Sequence, residues 1–537
     1  MELLNLKTDW KSNTVYQADG DLHVGLDQTT RLTDKIYRAI YSSEKTYLDT
    51  AFYLKDVRNV ILDFGGSTLW LHDETIQPFV LDNCENVTIR NVMVEYERGW
   101  MEEIDVIAAD TEKIVLRQTD DQKRKFPIRV EGGEIIPVSG EREYRNSLTD
   151  PHFLNLYDRE SGEIEGMCLI RIGKDLRPIS KEKFPFHYYA LCAEEKDGAI
   201  ELRGEIPPSV RGGQVSVQTH SARDVSSVFM ISCRDVRLEN VRIINGAGMG
   251  ILGMYTRNIT LHGVRYIYDE RSQGISTNAA DAVHLISSSG RIEISDSIFE
   301  GMKDDAINIH TSYYVVKKIE GQNVLAKLPT DTQKSPAVNA HYRVFGEGDT
   351  VGISRGSSME QYTDVTVKQV EIVDDFHVRL SVDGALDRVR EGDTLENLSV
   401  QPEVWIKGCR FGKARTHLRL QTRGPIRMED CDCSLRILLP GDKNYWYEGS
   451  PVRDLTVQNC RFMGERGQMI VRPDFFEKTE AEPYYHKGIK ILSNSFETAN
   501  ALVLNGCDGV VFRGNVNTQG KPFTHQICDC GTVETDE

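Results

Sequence analysis

Apolar and polar residues alternate along much of this chain in one recurring frame. It runs apolar, any, apolar, any, a small or polar turn-former, two further residues, then an apolar or aromatic one. It reads Val87-Thr88-Ile89-Arg90-Asn91-Val92-Met93-Val94 at its first appearance and returns from Val236, Ile259 and Ile292. Later copies begin at Val404, Ile426, Leu455, Ile489 and Val510, with Cys433 and Asn517 as imperfect final positions in two of them. Neighbouring starts are 23 (236 to 259), 22 (404 to 426) and 21 (489 to 510) residues apart, and steps of 33, 29 and 34 are whole turns carrying loops. Period-two alternation in short runs predicts strands, and a repeat of this length predicts a solenoid. The fold expected is all-β: a right-handed parallel β-helix whose stacked coils bury a continuous apolar interior.

The frame lapses twice. Residues 100–218 and 313–399 carry strand-like pieces such as Lys113–Arg117, Ala199–Arg203, Val365–Ile372 and His377–Ser381 between charged and Gly/Pro-rich turns. Each is expected to be a small antiparallel β-barrel or sandwich inserted into a coil loop. The resulting division is an N-terminal cap over 1–56, coils over 57–99, 219–312 and 400–517, the two insertions, and a loose tail over 518–537.

The cysteines follow the same register. Cys84, Cys233 and Cys507 stand three residues before a frame start, and Cys409, Cys431 and Cys460 five after one. These six are read as interior positions, since free cysteine behaves as a small buried hydrophobe. The Cys-x-Cys pairs at 431/433 and 528/530 lack the second pair with histidines that would complete a zinc pattern, so no metal is expected.

Composition narrows the partners. Hydrophobic residues are 39% and charged residues 27%, with a net charge of −18, a pI near 5.3 and a mean hydropathy of −0.40. Such a surface disfavours nucleic-acid phosphates and anionic membranes, and a neutral substrate fits better. No run of ~18 apolar residues is present, so no membrane span is expected. The opening MELLNLKTDWKSNTVYQ lacks the basic and apolar regions of a signal peptide. The expected protein is soluble, and periplasmic or secreted if a leader has been removed; a homodimer is allowed.

The chemistry concentrates in Asp281–His310. Asp281-Ala282-Val283-His284-Leu285 is echoed 24 residues later by Asp305-Ala306-Ile307-Asn308-Ile309, with Asp304 just before. One coil between the copies makes Asp281 and Asp305 neighbours about 4.8 Å apart. Three carboxylates in one patch repel, which raises at least one pKa and suits general-acid work. Strict alternation sends Asp281 inward with Val283, so both aspartates are expected at the bend before their strands. Hydrogen-bonding and stacking candidates from nearby coils are His284, Asn308, His310, His220, Arg223, Tyr255, Asp269, Glu270, Arg271, Arg419 and Trp446.

The segment NAADAVH, followed by Asp304-Asp305 in GMKDDAINIH, resembles glycoside hydrolase family 110. The resemblance spans most of the chain. It implies a pectin-lyase-like β-helix interrupted by β-barrels and an inverting exo-enzyme that removes terminal α-1,3-linked galactose, including from blood-group B structures. The implied roles are Asp304 as general acid and Asp281 and Asp305 holding and deprotonating the water, with a galactose-terminated glycan as partner and no cofactor. A looser similarity to polygalacturonases stops at the Asp-Asp pair, because their Gly-His-Gly and Arg-Ile-Lys motifs are missing. Another β-helical glycoside hydrolase of that kind, or a non-catalytic glycan-binding β-helix, is the alternative reading.

Overall fold

A computed structural model of the chain describes residues 2–6, 9–34, 37, 47–98, 101–125, 127–139, 141–143, 152–174, 176, 187–219, 225–268, 274–328, 344–374, 376–441, 447–473, 477–480 and 483–536. The helices whose bounds lie among them are Asp120–Lys125 and the single turn Leu26–Gln28. None is long and apolar enough to cross a membrane.

The recurring frame stacks on itself. Val87, Val236, Ile259, Ile292, Val404, Ile426, Leu455, Ile489 and Val510 pair in sequence along one parallel column. Val60 and Val533 extend it at its two ends, in coils whose frames are too degraded to read from sequence. The fifth position explains itself through backbone conformation. Asn91, Asn240, Asp296 and Asn459 are left-handed there, with φ between 49° and 56°, and Gly263, Gly408 and Gly514 take the same position in other coils. Only glycine and short polar residues enter this region readily. The resulting bend lets one coil place two short strands in the same 22-stranded sheet, and a 13-stranded sheet closes the opposite face.

The final frame position forms a second column, Val94, Ile243, Tyr266, Phe299, Phe411, Cys433, Phe462, Phe496 and Asn517. Its rings stack where they are consecutive: Phe299 on Phe411 at 5.5 Å and Phe462 on Phe496 at 4.6 Å. Cys433 breaks this aromatic ladder. The six register-matched cysteines are all buried, and the thiols of Cys84, Cys233, Cys409 and Cys460 face backbone carbonyls of adjacent coils.

Both chain ends join the stack. Glu2–Leu3 and Thr14–Gln17 pair parallel into the larger sheet, so residues read as a cap already supply strands to it. Gln526–Cys528 and Val533–Thr535 form a further coil on Val503–Asn505 and Val510–Phe512. This corrects the expectation of a loose tail: the backbone groups left open by the preceding coil are paired. The two insertions are closed barrels, one of seven strands between Met101 and Thr219 and one of six between Tyr314 and Asn397.

Phe411 tests the ladder. Phe411→Ala leaves a cavity beside Phe299 and should lower stability by about 3–5 kcal/mol in urea unfolding. Val516→Ala, at a side chain 57% exposed, should shift it by less than about 0.5 kcal/mol. Equal effects would refute a ladder that carries packing energy.

Candidate functional site

The two copies of the aspartate motif lie side by side. Val283–Ile286 and Ile307–Ser312 run parallel, with His284 opposite Asn308 and Ile286 opposite His310. The next coil adds His417–Leu420, with Leu418 opposite Ile307 and Arg419 opposite Asn308. Extending that register by two residues puts Asp281, Asp305 and Thr416 in one column. Both aspartates precede their strands, and Ala282 and Val283 are both interior, so alternation begins only after the bend. Leu252 stands opposite His284 on one side and Leu438 opposite Arg419 on the other, which confines this polar column to three coils.

Carboxylate oxygens of Asp281, Asp304 and Asp305 lie within 4.8 Å of one another. Asp281 and Asp305 are buried and Asp304 is half-buried. Asp305 receives the His417 amide at 2.9 Å, the Thr416 hydroxyl in a short hydrogen bond, and the Arg419 guanidinium at 3.3 Å. Its own amide donates to Asp281 Oδ1 at 3.2 Å. Burial nevertheless pushes the Asp305 carboxyl up to about 7; Arg419 opposes the rise, while Asp281 and Asp304 add to it. Thr416 Oγ1 is also 3.2 Å from Asp304 Oδ1. A hydroxyl has one hydrogen, so Thr416 donates to one of these two carboxylates at a time, and a hydrogen bond to the other requires a proton on that carboxyl.

A second cluster adjoins the first. His284 Nδ1 is 2.6 Å from Asp281 Oδ2, its Nε2 is 2.9 Å from His310 Nε2, and His310 Nδ1 donates to the Thr311 carbonyl at 2.8 Å. Glu448 arrives on a short antiparallel strand against Thr311–Ser312 and is 3.7 Å from His310 Nε2. Burial raises the Glu448 carboxyl, but His310, Arg419 and His284 outweigh it and hold the group below the usual range. Arg419 donates to Glu448 at 2.8 Å while facing Asp305, so one guanidinium serves carboxylates of both clusters. Either cluster has donor spacing that a divalent cation could span, and Arg419 supplies positive charge at their shared edge.

Both barrels reach this region. From the first, Glu103 accepts the Ile275 and Ser276 amides just ahead of Asp281, and the Tyr157 ring lies 3.6 Å from Lys303 Nζ. Lys303 is fully buried, and burial pushes its amine down to about 7, with Glu103 opposing. From the second, Glu396 accepts from Thr311 at 2.7 Å, from Arg423 at 2.8 Å and, in a short hydrogen bond, from Ser450.

Of the residues expected from sequence, Asp281, Asp304, Asp305, His284, Asn308, His310 and Arg419 converge here. Tyr255 packs instead between two apolar clusters. His220, Arg223, Asp269, Glu270, Arg271 and Trp446 lie outside the described residues. Thr416, His417, Lys303, Tyr157 and Glu448 were not expected. Reading the aspartate column one coil further would have found Thr416; Tyr157 and Glu448 come from an insertion and a loop, where no register leads to them.

No family model matches the chain. It is 25% identical over 523 residues to alpha-1,3-galactosidase B of Bacteroides thetaiotaomicron, covering 91% of this chain and 80% of that protein. It is 26% identical over 506 residues to alpha-1,3-galactosidase A of Bacteroides fragilis, covering 89% and 78%. Among solved structures it aligns with a polygalacturonase from Erwinia carotovora at a TM-score of 0.37 and 11% identity, covering 97% of this chain and 87% of that one.

Asp305 and Lys303 give opposite dependences of stability on pH. An acid raised from 3.8 to about 7 holds its proton longer in the fold, so its contribution to stability falls as pH rises from about 4 to 7. A lysine lowered from 10.5 to about 7 favours the fold when neutral, so stability rises from about pH 7 to 10. Melting curves should show the Asp305→Asn midpoint gaining on wild type between pH 4 and 7. The Lys303→Met advantage should be largest below pH 7 and shrink toward pH 10; pH-independent offsets in both would refute these assignments.

Proposed function

We propose that this chain is an exo-acting glycoside hydrolase of family 110 that removes terminal α-1,3-linked galactose from oligosaccharides or glycoconjugates with inversion. The observation that carries the reading is the carboxylate cluster of Asp281, Asp304 and Asp305, the last two sharing the Thr416 hydroxyl. Curated relatives named alpha-1,3-galactosidase, aligned over about nine-tenths of the chain, support the substrate. Asp304, the half-buried member, protonates the glycosidic oxygen as the bond to the anomeric carbon breaks. Water adds to that carbon from the opposite face and gives its proton to Asp281 or Asp305. Burial strengthens these interactions, since little water competes for the charges.

One observation favours a second reading. The nearest oxygens lie closer than the roughly 6.5–9.5 Å usual for an inverting pair and nearer the roughly 5–5.5 Å of a retaining one. Retention would proceed through a glycosyl ester on Asp281 or Asp305, hydrolysed by water that Asp304 deprotonates. Proton NMR of the first-formed galactose decides: the β-anomer for inversion, the α-anomer for retention.

The acid assignment is tested with two substrates. Asp304→Asn should lower kcat on a Galα1-3Gal disaccharide by about 10²–10⁴-fold and lower it less on an aryl α-galactoside, whose leaving group needs little protonation. Asp281→Asn and Asp305→Asn should impair both substrates alike. Near wild-type cleavage of the disaccharide by Asp304→Asn would overturn the role. Failure of the wild-type protein to release galactose from either substrate would overturn the function.

A further inference from the structure

The hydrogen bonds around the two histidines fix where a proton must lie. His310 Nδ1 faces the Thr311 carbonyl, which has no hydrogen, so that nitrogen carries one. A neutral His310 then presents a bare Nε2 lone pair to His284 Nε2 at 2.9 Å. Two lone pairs repel at that distance, so a hydrogen lies between the two nitrogens. With His310 neutral it is on His284, whose other nitrogen lies 2.6 Å from Asp281 Oδ2. Two arrangements satisfy this: an imidazolium His284 with ionised Asp281, or a neutral His284 receiving a proton from Asp281. The surroundings favour the first. Among the described residues, the groups facing the pair include Asp281, Glu448 at 3.7 Å from His310, Asn308 at 3.5 Å from Glu448, Asp304 and Asp305 beside Asp281, and Arg419 between Asp305 and Glu448; His417 lies beyond Asp305. Carboxylates outnumber guanidinium groups among these described neighbours, and Asp281 Oδ1 also accepts the Asp305 amide. Burial and the neighbouring His284 push His310 toward its neutral form, although Glu448 opposes them.

We propose that the His284–His310 pair carries one proton more than two neutral rings, held as an imidazolium on His284, which keeps Asp281 ionised and makes it, rather than Asp305, the base of the hydrolytic reaction. This rests on the hydrolase reading for its catalytic consequence but not for the proton itself. His284 and His310 are positioning residues: His310 supplies the acceptor that obliges His284 to keep its second proton, and His284 sets the charge and orientation of Asp281. Three adjacent aspartates thereby divide into an ionised base, an acid and a partner to Arg419.

Nitrogen-15 NMR of histidine-labelled protein reads the proton without any activity. One histidine should bear hydrogens on both ring nitrogens at pH 7. That signal should persist in His310→Gln, whose side-chain oxygen accepts in place of Nε2, and vanish in His310→Leu. Kinetically, His284→Gln should lower kcat about 10²-fold with little change in KM. It should also move the acid limb of the kcat/KM profile upward by about one pH unit or more, because Asp281 loses its cation. His310→Leu should move the limb the same way, and His310→Gln should not. A singly protonated His284 in the wild-type spectrum overturns the proposal, as does stoichiometric zinc held between the two Nε2 atoms. A KM change with an unmoved acid limb in His284→Gln, indicating sugar contact alone, also overturns it. A doubly protonated histidine in a protein that releases no galactose would instead sink the hydrolase reading and leave the proton assignment standing.

Discussion

In-register stacking of parallel strands is the constraint on which the molecule depends. Every coil must present its backbone groups at the same height as those of the coil beside it, because an unpaired buried amide or carbonyl is costly. A separation of 24 residues between Asp281 and Asp305 therefore becomes contact between neighbours, whatever the charges prefer. The scaffold imposes the repulsion, and the site is the set of groups that makes it tolerable: the His417 amide, the Thr416 hydroxyl, the Arg419 guanidinium and the His284 ring.

The same stacking limits the site. Columns that are polar at His284, Asn308 and Arg419 become leucine one coil away on either side. The barrels then change the dielectric surroundings. Glu103 and Tyr157 close one approach, and Glu396 anchors the other through Thr311, Ser450 and Arg423. Tyr157 lies against the buried Lys303 and Glu103 acts on its charge, so groups far apart in sequence help to set the electrostatics beside a motif they do not belong to.

Much of the architecture was legible because the frame has a physical reason at each position. Apolar residues mark the interior, an asparagine, aspartate or glycine marks a left-handed bend, and an aromatic marks the stacked column. Legibility failed where the reason was satisfied by other means. The coils at Val60 and Val533 keep their interior valines but lack a complete frame, and the C-terminal segment pairs through its backbone with little apolar signal of its own. Asp281 followed neither of the two strand faces, because a bend precedes its strand.

Sequence by itself determined the solenoid, the interior cysteine positions and the meeting of Asp281, Asp304, Asp305, His284 and Asn308, since all of these follow from one period. Only the tertiary structure decided that His284 turns toward Asp281 and His310, that Arg419 lies between Asp305 and Glu448, and that Lys303 is sealed under Tyr157. The reason is that register specifies which residues are neighbours along the stack. Side-chain orientation, and the approach of a loop or an inserted barrel from outside the stack, depend on packing in three dimensions that no period encodes.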